Sequence, residues 1–230
     1  RINHIDERKI SMSMIYFSIV GLLLGLILTG ANNLLSFLNI EQFYINVMLI
    51  ILLIVLTGGI HLDGLADVCD AFLSRKDREE MLKIMRDSHI GVMGVLSLIS
   101  VILLKIAFLS SISISLKTIS LFLVCALSRW SLVFAIFLFP YARKEGGLGG
   151  AFAEFSDWKC LLVASMFTGA VVLSIFRQKA LLLIPSVVAF VCLIAWRLSK
   201  QLGGMTGDTY GALCELTEGF CLLLFSTKWM

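Results

Sequence analysis

Charged side chains are missing from two long stretches near the start of the chain. Residues 10–40 contain no Asp, Glu, Lys or Arg, and neither do residues 42–60. Each is long enough to cross a bilayer, which takes about 20 apolar residues in a helix. Further apolar stretches cover residues 90–110, 118–139, 160–176, 180–196 and 212–227. In hydrocarbon a backbone N–H or C=O has no water to bond, so such stretches are expected to be helical. The pattern predicts an all-α, polytopic integral membrane protein with about seven transmembrane helices in one membrane-embedded domain over residues 1–230. The last span is the weakest, because Glu215 and Glu218 fall in its first turns. Residues 74–87 follow another pattern. Ser74 with Asp77 fits a capping box, and Arg78, Met81, Leu82 and Met85 recur at helical spacing. That predicts a short amphipathic interfacial helix.

Composition strengthens this reading. Of 230 residues, 59% are hydrophobic and 15% charged, with a mean hydropathy of +0.96. Soluble domains run nearer about 45–50% apolar and about 25% charged. Disorder, a collagen-like repeat, a coiled coil and an ordinary water-soluble enzyme are excluded. A net charge of +3 with no basic stripe along one face predicts no nucleic-acid partner. Membrane lipid is the expected surrounding. The six cysteines form no CxxC pair and read as small core hydrophobes.

Lys and Arg in the connections set the orientation, since cytoplasmic loops carry the excess. Arg8 and Lys9 precede the first span, and Arg75, Lys76, Arg78, Lys83 and Arg86 follow the second. Arg143, Lys144 and Lys159 follow Phe139, and Arg197 and Lys200 follow Trp196. With alternating spans these four segments share the cytoplasmic face. Residues 38–42 carry no Lys or Arg, as an outside loop should, whereas Arg177 and Lys179 fall outside against the rule. Nearly every polar cluster then lies at one face of a prokaryotic plasma (inner) membrane.

The densest cluster is His61-Leu62-Asp63-Gly64-Leu65-Ala66-Asp67-Val68-Cys69-Asp70. Asp63, Asp67 and Asp70 stand at i, i+4 and i+7, so a helix aligns their carboxylates on one face. Three like charges at an apolar boundary repel and cost desolvation, and a divalent cation relieves both. Hard oxygen ligands suit Mg²⁺, which keeps waters and adds substrate phosphates. The alternative is a solvated acidic helix end, which the apolar residues between the acids oppose. Gly64 leaves room for a bulky group. His61 suits a base or hydrogen-bonding role better than Mg²⁺ ligation.

Other groups could meet an anionic substrate. Arg86 could clamp a phosphate, with Asp87 orienting it or joining the metal, or the two could form a surface salt bridge. Arg129 lies within an apolar span, where an Arg is a functional candidate by default or snorkels to the interface. Arg143 and Lys144 precede a glycine-rich stretch whose backbone N–H groups could cradle an anion. Asp208 either caps the last helix or forms a second acidic patch with Glu215.

Four motifs together resemble the adenosylcobinamide-GDP ribazoletransferase (cobalamin synthase) family. They are Thr57-Gly58-Gly59-Ile60-His61-Leu62-Asp63-Gly64-Leu65-Ala66-Asp67, Ile84-Met85-Arg86-Asp87-Ser88, Tyr141-Ala142-Arg143 and Gly203-Gly204-Met205-Thr206-Gly207-Asp208. They occur in family order over almost the whole chain; His89 stands where many relatives carry Arg. The resemblance implies a Mg²⁺-dependent membrane enzyme that joins adenosylcobinamide-GDP to α-ribazole or its 5′-phosphate. The products would be adenosylcobalamin or its phosphate, and GMP. Asp63, Asp67 and Asp70 would hold Mg²⁺ on the diphosphate. Arg86, Arg129, Arg143 and Lys144 would neutralise the remaining charge, with Gly64 and Glu215 at the substrate. His61, Asp87 or Asp208 would accept the proton of the attacking ribose hydroxyl.

Two rivals are weaker. A phosphotransferase of the CDP-alcohol type needs an Arg where Asp67 stands and a second, widely spaced Asp pair. A secondary transporter would show internal repeats with acids near the membrane centre. A homo-oligomer is compatible with the sequence, which leaves the oligomeric state open.

Overall fold

A computed structural model describes residues 11–143, 148–154 and 156–227. The described residues form helices joined by short connections, with an isolated parallel bridge between Tyr141 and Met205. After a 3-10 turn at Ser13–Tyr16 come α1 (Phe17–Phe37), α2 (Gln42–Thr57) and α3 (Ile60–Leu73). Then follow α4 (Arg78–Ile84), α5 (Val92–Ser111), α6 (Ile114–Leu138) and α7 (Leu148–Glu154). Last come α8 (Trp158–Phe176), α9 (Ala180–Leu202) and α10 (Gly207–Ser226).

Two helices form the centre. α6 is buried along most of its length and packs against α1, α8 and α10. α10 is buried on nearly every side, between α3, α5, α6 and α9. Gly21 and Gly25 let α1 lie directly on α6: a Cβ at Gly21 would sit 2.3 Å from the Cys125 carbonyl oxygen. In lipid, where apolar surface alone does not drive helices together, such close backbone packing is a main source of association. α2 is tied down by polar groups. Lys117 Nζ donates to Gln42 Oε1 at 3.0 Å and to Asn46 Oδ1 at 2.9 Å, and Asn46 Nδ2 donates to Ser110 Oγ at 2.9 Å.

The expected count of about seven spans is not confirmed. Among the described residues four helical stretches are long and apolar enough to cross a membrane: Ser13–Phe37, Val92–Ser111, Ile114–Leu138 and Trp158–Leu202. A fifth is added if Gln42–Thr57 and Ile60–Leu73, bent by 92° against each other, make one broken span. Two features bear on the count. The final helix carries Asp208, Glu215 and Glu218 and is not among these stretches. Residues 160–176 and 180–196 belong to one apolar stretch, interrupted by a 3-10 turn at Arg177–Lys179.

The surface helix is also shorter than expected. Asp77 rather than Ser74 caps it, accepting the Glu80 N–H at 2.9 Å. Its buried face is Met81 and Met85. Arg78 pins it to the body, with Nε donating to the Leu202 carbonyl at 2.6 Å and Nη2 to the Ala142 carbonyl at 3.2 Å.

Candidate active site

The break between α2 and α3 aims the acidic motif. Gly58 and Gly59 both adopt left-handed backbone, with φ of 64° and 72°, which residues with a Cβ rarely reach. The chain turns there, and α3 runs along α10 and α5. Gly64 permits the contact: a Cβ there would sit 2.7 Å from the Asp208 carbonyl oxygen. The predicted role of Gly64, clearance for a bulky group, is therefore filled by the backbone of α10.

The three aligned carboxylates divide. Asp70 Oδ2 accepts the Gly91 N–H at 2.7 Å and its Oδ1 accepts the Gly94 N–H at 2.8 Å. Gly91 is the N-cap of α5, so Asp70 caps that helix from outside and satisfies two otherwise orphaned donors. The sequence pattern placed three acids on one cation; here both oxygens of Asp70 accept backbone N–H groups at the start of α5, while Asp63 and Asp67 do not. Among the described residues no three His, Cys, Asp or Glu side chains are grouped to hold a metal. Asp63 is exposed and Asp67 half-buried, and neither side chain bonds another described residue. Asp67 lies in the repulsive field of Asp63, Asp208 and Asp70, opposed by Arg143.

Asp208 and Arg143 complete this face. Arg143 Nη2 donates to Asp208 Oδ2 at 2.7 Å, and the buried Arg143 Nε has no partner among the described residues. Asp208 is not the helix cap. Thr206 takes that role in a reciprocal box with Thr209. Asp208 sits in the first turn, where the helix dipole favours negative charge. The bridge between Tyr141 and Met205 fixes the spacing: the Met205 N–H donates to the Pro140 carbonyl at 2.7 Å, and the Ala142 N–H to the Met205 carbonyl at 2.8 Å. Burial pushes the Tyr141 phenol up from its ordinary pKa, against the pull of Arg143.

Arg143 also lines a cleft of about 400 Å³ with Arg78, Lys83 and Arg86. This brings together two predicted cations, Arg86 and Arg143, from segments far apart in the chain. Lys144 lies outside the described residues. Asp87 does not join them. It is exposed and bonds His89, whose Nδ1 lies 2.7 Å from Asp87 Oδ1 and whose backbone N–H donates to the same oxygen at 3.0 Å. Those bonds hold the Asp87 carboxyl below its usual range. The expected pair of Asp87 with Arg86 is replaced by this turn.

The remaining predicted residues face inward. Glu215 does not form an acidic patch with Asp208. It is buried and accepts from Lys105 Nζ at 2.5 Å, as does Glu218. Arg129 Nη1 pairs with Glu218 Oε1 and donates to Ser128 Oγ at 2.9 Å, which corrects the snorkelling alternative. Lys105 and Arg129 thus balance Glu215 and Glu218. Lys105 and Glu218 were not among the expected site residues. The available signal was complementarity: a lone Lys in one apolar stretch and a Glu pair in another.

A second cavity, of about 450 Å³, adjoins the acidic face. His61 and Arg129 line it together with Tyr210 and apolar side chains of α1 and α6.

Residues 1–226 match the family model described as cobalamin-5-phosphate synthase. The chain belongs to that family. Adenosylcobinamide-GDP ribazoletransferase of Caldanaerobacter subterraneus subsp. tengcongensis is 40% identical over 225 residues, covering 96% of this chain and 90% of that protein. The enzyme of the same name from Roseiflexus sp. is 41% identical over 213 residues, covering 93% and 78%. That from Escherichia coli is 38% identical over 229 residues, covering 95% and 89%. No solved structure gives a significant match. In this member of the cobalamin-5-phosphate synthase family, the segments carrying Asp63, Arg86, Arg143 and Asp208 meet at one end of the helices.

Proposed function

We propose that the chain transfers the adenosylcobinamide-phosphate moiety of adenosylcobinamide-GDP to α-ribazole or its 5′-phosphate. The products are adenosylcobalamin or its phosphate, and GMP. The observation that carries this reading is one face with acids on one side and cations on the other. Asp63 and Asp67 stand on α3, and Arg143 and Arg86 line the adjoining cleft. A diphosphate needs that pairing, because phosphoryl transfer relies mainly on positioning and on neutralising oxygen charge.

The residues fit Mg²⁺ as a site that substrate completes. Mg²⁺ is commonly held by one or two carboxylates, with phosphates and waters supplying the rest. Asp63 and Asp67 are hard donors in a field with surplus negative charge. Bound there, Mg²⁺ would withdraw charge from the diphosphate oxygens. Arg143 and Arg86, which line one cleft, bind the remaining phosphate oxygens. His61, between the acidic face and the second cavity, accepts the proton of the attacking ribose hydroxyl. That oxygen bonds the phosphorus bearing the corrinoid side chain as the bond to GMP breaks.

The site faces the cytoplasm of a prokaryotic inner membrane in this reading. Arg75, Lys76, Lys83, Arg86 and Arg143 lie at this end of the molecule. Trp158 follows α7, whose Gly149 adjoins Gly207, and Leu202 leads into Gly207. Both ends of that long stretch thus lie near the site, and the chain turns back at Arg177–Lys179 and crosses twice.

The test is GMP release by the purified chain in lipid with both substrates. Activity should require α-ribazole, vanish with a chelator and return with Mg²⁺. GMP release independent of α-ribazole would refute the transfer.

A further inference from the structure

Three segments bring polar groups to this face, and one side chain ties them together. Arg86 follows α4, Arg143 follows Tyr141 and Ala142, and Asp208 follows the turn that ends α9. Arg78, which opens α4, donates from Nε to the Leu202 carbonyl at 2.6 Å and from Nη2 to the Ala142 carbonyl at 3.2 Å. Both acceptors are main chain, so neither can turn away by a change of rotamer.

The surroundings suit this side chain. Leu202 is the last residue of α9, and the final carbonyls of a helix lack intrahelical partners and favour a cation. Gly203, at φ 72°, leaves the guanidinium room: a Cβ there would sit 3.0 Å from Arg78 Nε. Gly204 lets the two backbones close up, since its Cβ would sit 2.7 Å from both the Ala142 nitrogen and the Pro140 carbonyl oxygen. α4 itself has seven residues, with Met81 and Met85 as its buried face. Helices shorter than about 12–15 residues are marginal on their own, so its place depends on such ties.

We propose that Arg78 is a positioning residue of the phosphate clamp: it braces α4 against the backbone beside Arg143, so that Arg86 and Arg143 close on one diphosphate. The proposal rests on the transferase reading and adds a residue to its machinery. Arg78, Arg86 and Arg143 line the same cleft of about 400 Å³. A guanidinium engages phosphate through a planar pair of bonds, so two of them must keep a fixed spacing and tilt. A shift of about 1 Å in a positioning group can cost about a hundred-fold in rate. Arg78 commits two of its three nitrogens to backbone carbonyls, so its first task is to hold the protein.

Arg78→Met keeps the apolar stem and removes both bonds. It is compared with Arg86→Ala and with the double variant, each in the full chain in lipid. Equilibrium dialysis reads binding of labelled adenosylcobinamide-GDP, and steady-state kinetics with both substrates read GMP release. Arg78→Met should weaken adenosylcobinamide-GDP binding and raise its KM about ten-fold, while leaving the KM for α-ribazole unchanged. In the Arg86→Ala background the same substitution should cost about two-fold or less, because no second guanidinium is left to hold in register. A general structural defect, or a direct contact of Arg78 with phosphate, would cost the same factor in both backgrounds and overturn the proposal. Unchanged binding in Arg78→Met would overturn it as well. Arg78→Lys retains a donor for one carbonyl and replaces Arg78→Met in the same cycle if that variant does not fold. If the unsubstituted chain binds adenosylcobinamide-GDP but releases no GMP, the transferase reading fails and the binding cycle still decides the role of Arg78. Absence of binding by the unsubstituted chain would overturn both.

Discussion

Asp70 on α3 holds Gly91 at the start of α5, its Oδ2 accepting the Gly91 N–H at 2.7 Å. Asp63 and Asp67, on the same face of the same helix, bond no other described residue. One sequence motif therefore performs two tasks. Asp70→Ala should lower stability by about 1–2 kcal/mol, as loss of a helix cap does, with a lower thermal midpoint in lipid. Asp63→Asn and Asp67→Asn should abolish GMP release and leave the midpoint nearly unchanged. Near-normal turnover in either Asn variant at saturating Mg²⁺ would remove the metal assignment.

Arg143 pairs with Asp208 at 2.7 Å and lines the basic cleft with Arg86. A guanidinium engages two phosphate oxygens in a plane, whereas an ammonium is a point charge. Arg86→Lys and Arg143→Lys should each lower kcat/KM for adenosylcobinamide-GDP, and the Ala variants should lower it further. The loss of a charged hydrogen bond is worth about 1.5–3 kcal/mol, roughly ten- to a hundred-fold. Full activity in both Lys variants would return these residues to anchoring at the membrane surface.

Lys105 bonds both Glu215 and Glu218 in the interior, and Glu218 also holds Arg129. Lys105→Met leaves Glu215 without its cation, and breaking a buried pair this way costs about 3–5 kcal/mol. Adding Glu215→Gln removes the uncompensated charge and should restore much of the loss, because Glu218 retains Arg129. Folded yield and thermal midpoint of the single and double variants provide the measurement. An equal loss in both would rule out charge balance as the reason for the cluster.

Asp87 is exposed and bonds His89, away from the acidic pair. Asp87→Asn should therefore keep kcat and both KM values within about two-fold, a surface substitution away from the chemistry. The bond has a pH signature. Because the folded Asp87 carboxyl lies below its ordinary range, its contribution is present above that range and is lost as pH falls through the folded pKa. The protection of the His89 amide relative to its intrinsic exchange rate should fall over the same interval. A hundred-fold loss of kcat in Asp87→Asn would make it a catalytic group after all.

The membrane character and the acidic motif were legible in the sequence because both are local. A charge-free stretch has to be helical in hydrocarbon wherever it lies, and i, i+4, i+7 spacing aligns Asp63, Asp67 and Asp70 on any helix. Which of the three serves as a cap depended on what stands opposite, and the start of α5 lies 21 residues further along at Gly91. Glu215 was expected beside Asp208 on one helical face, but Lys105, 110 residues away, draws it inward. α10 carries three acids, yet it is buried, with Lys105 and Arg129 neutralising its two glutamates. Periodicity assigns a side chain to a face of its helix. Only tertiary packing supplies the opposite charge or open donor on the neighbouring helix, and a buried charge costs too much to remain without one.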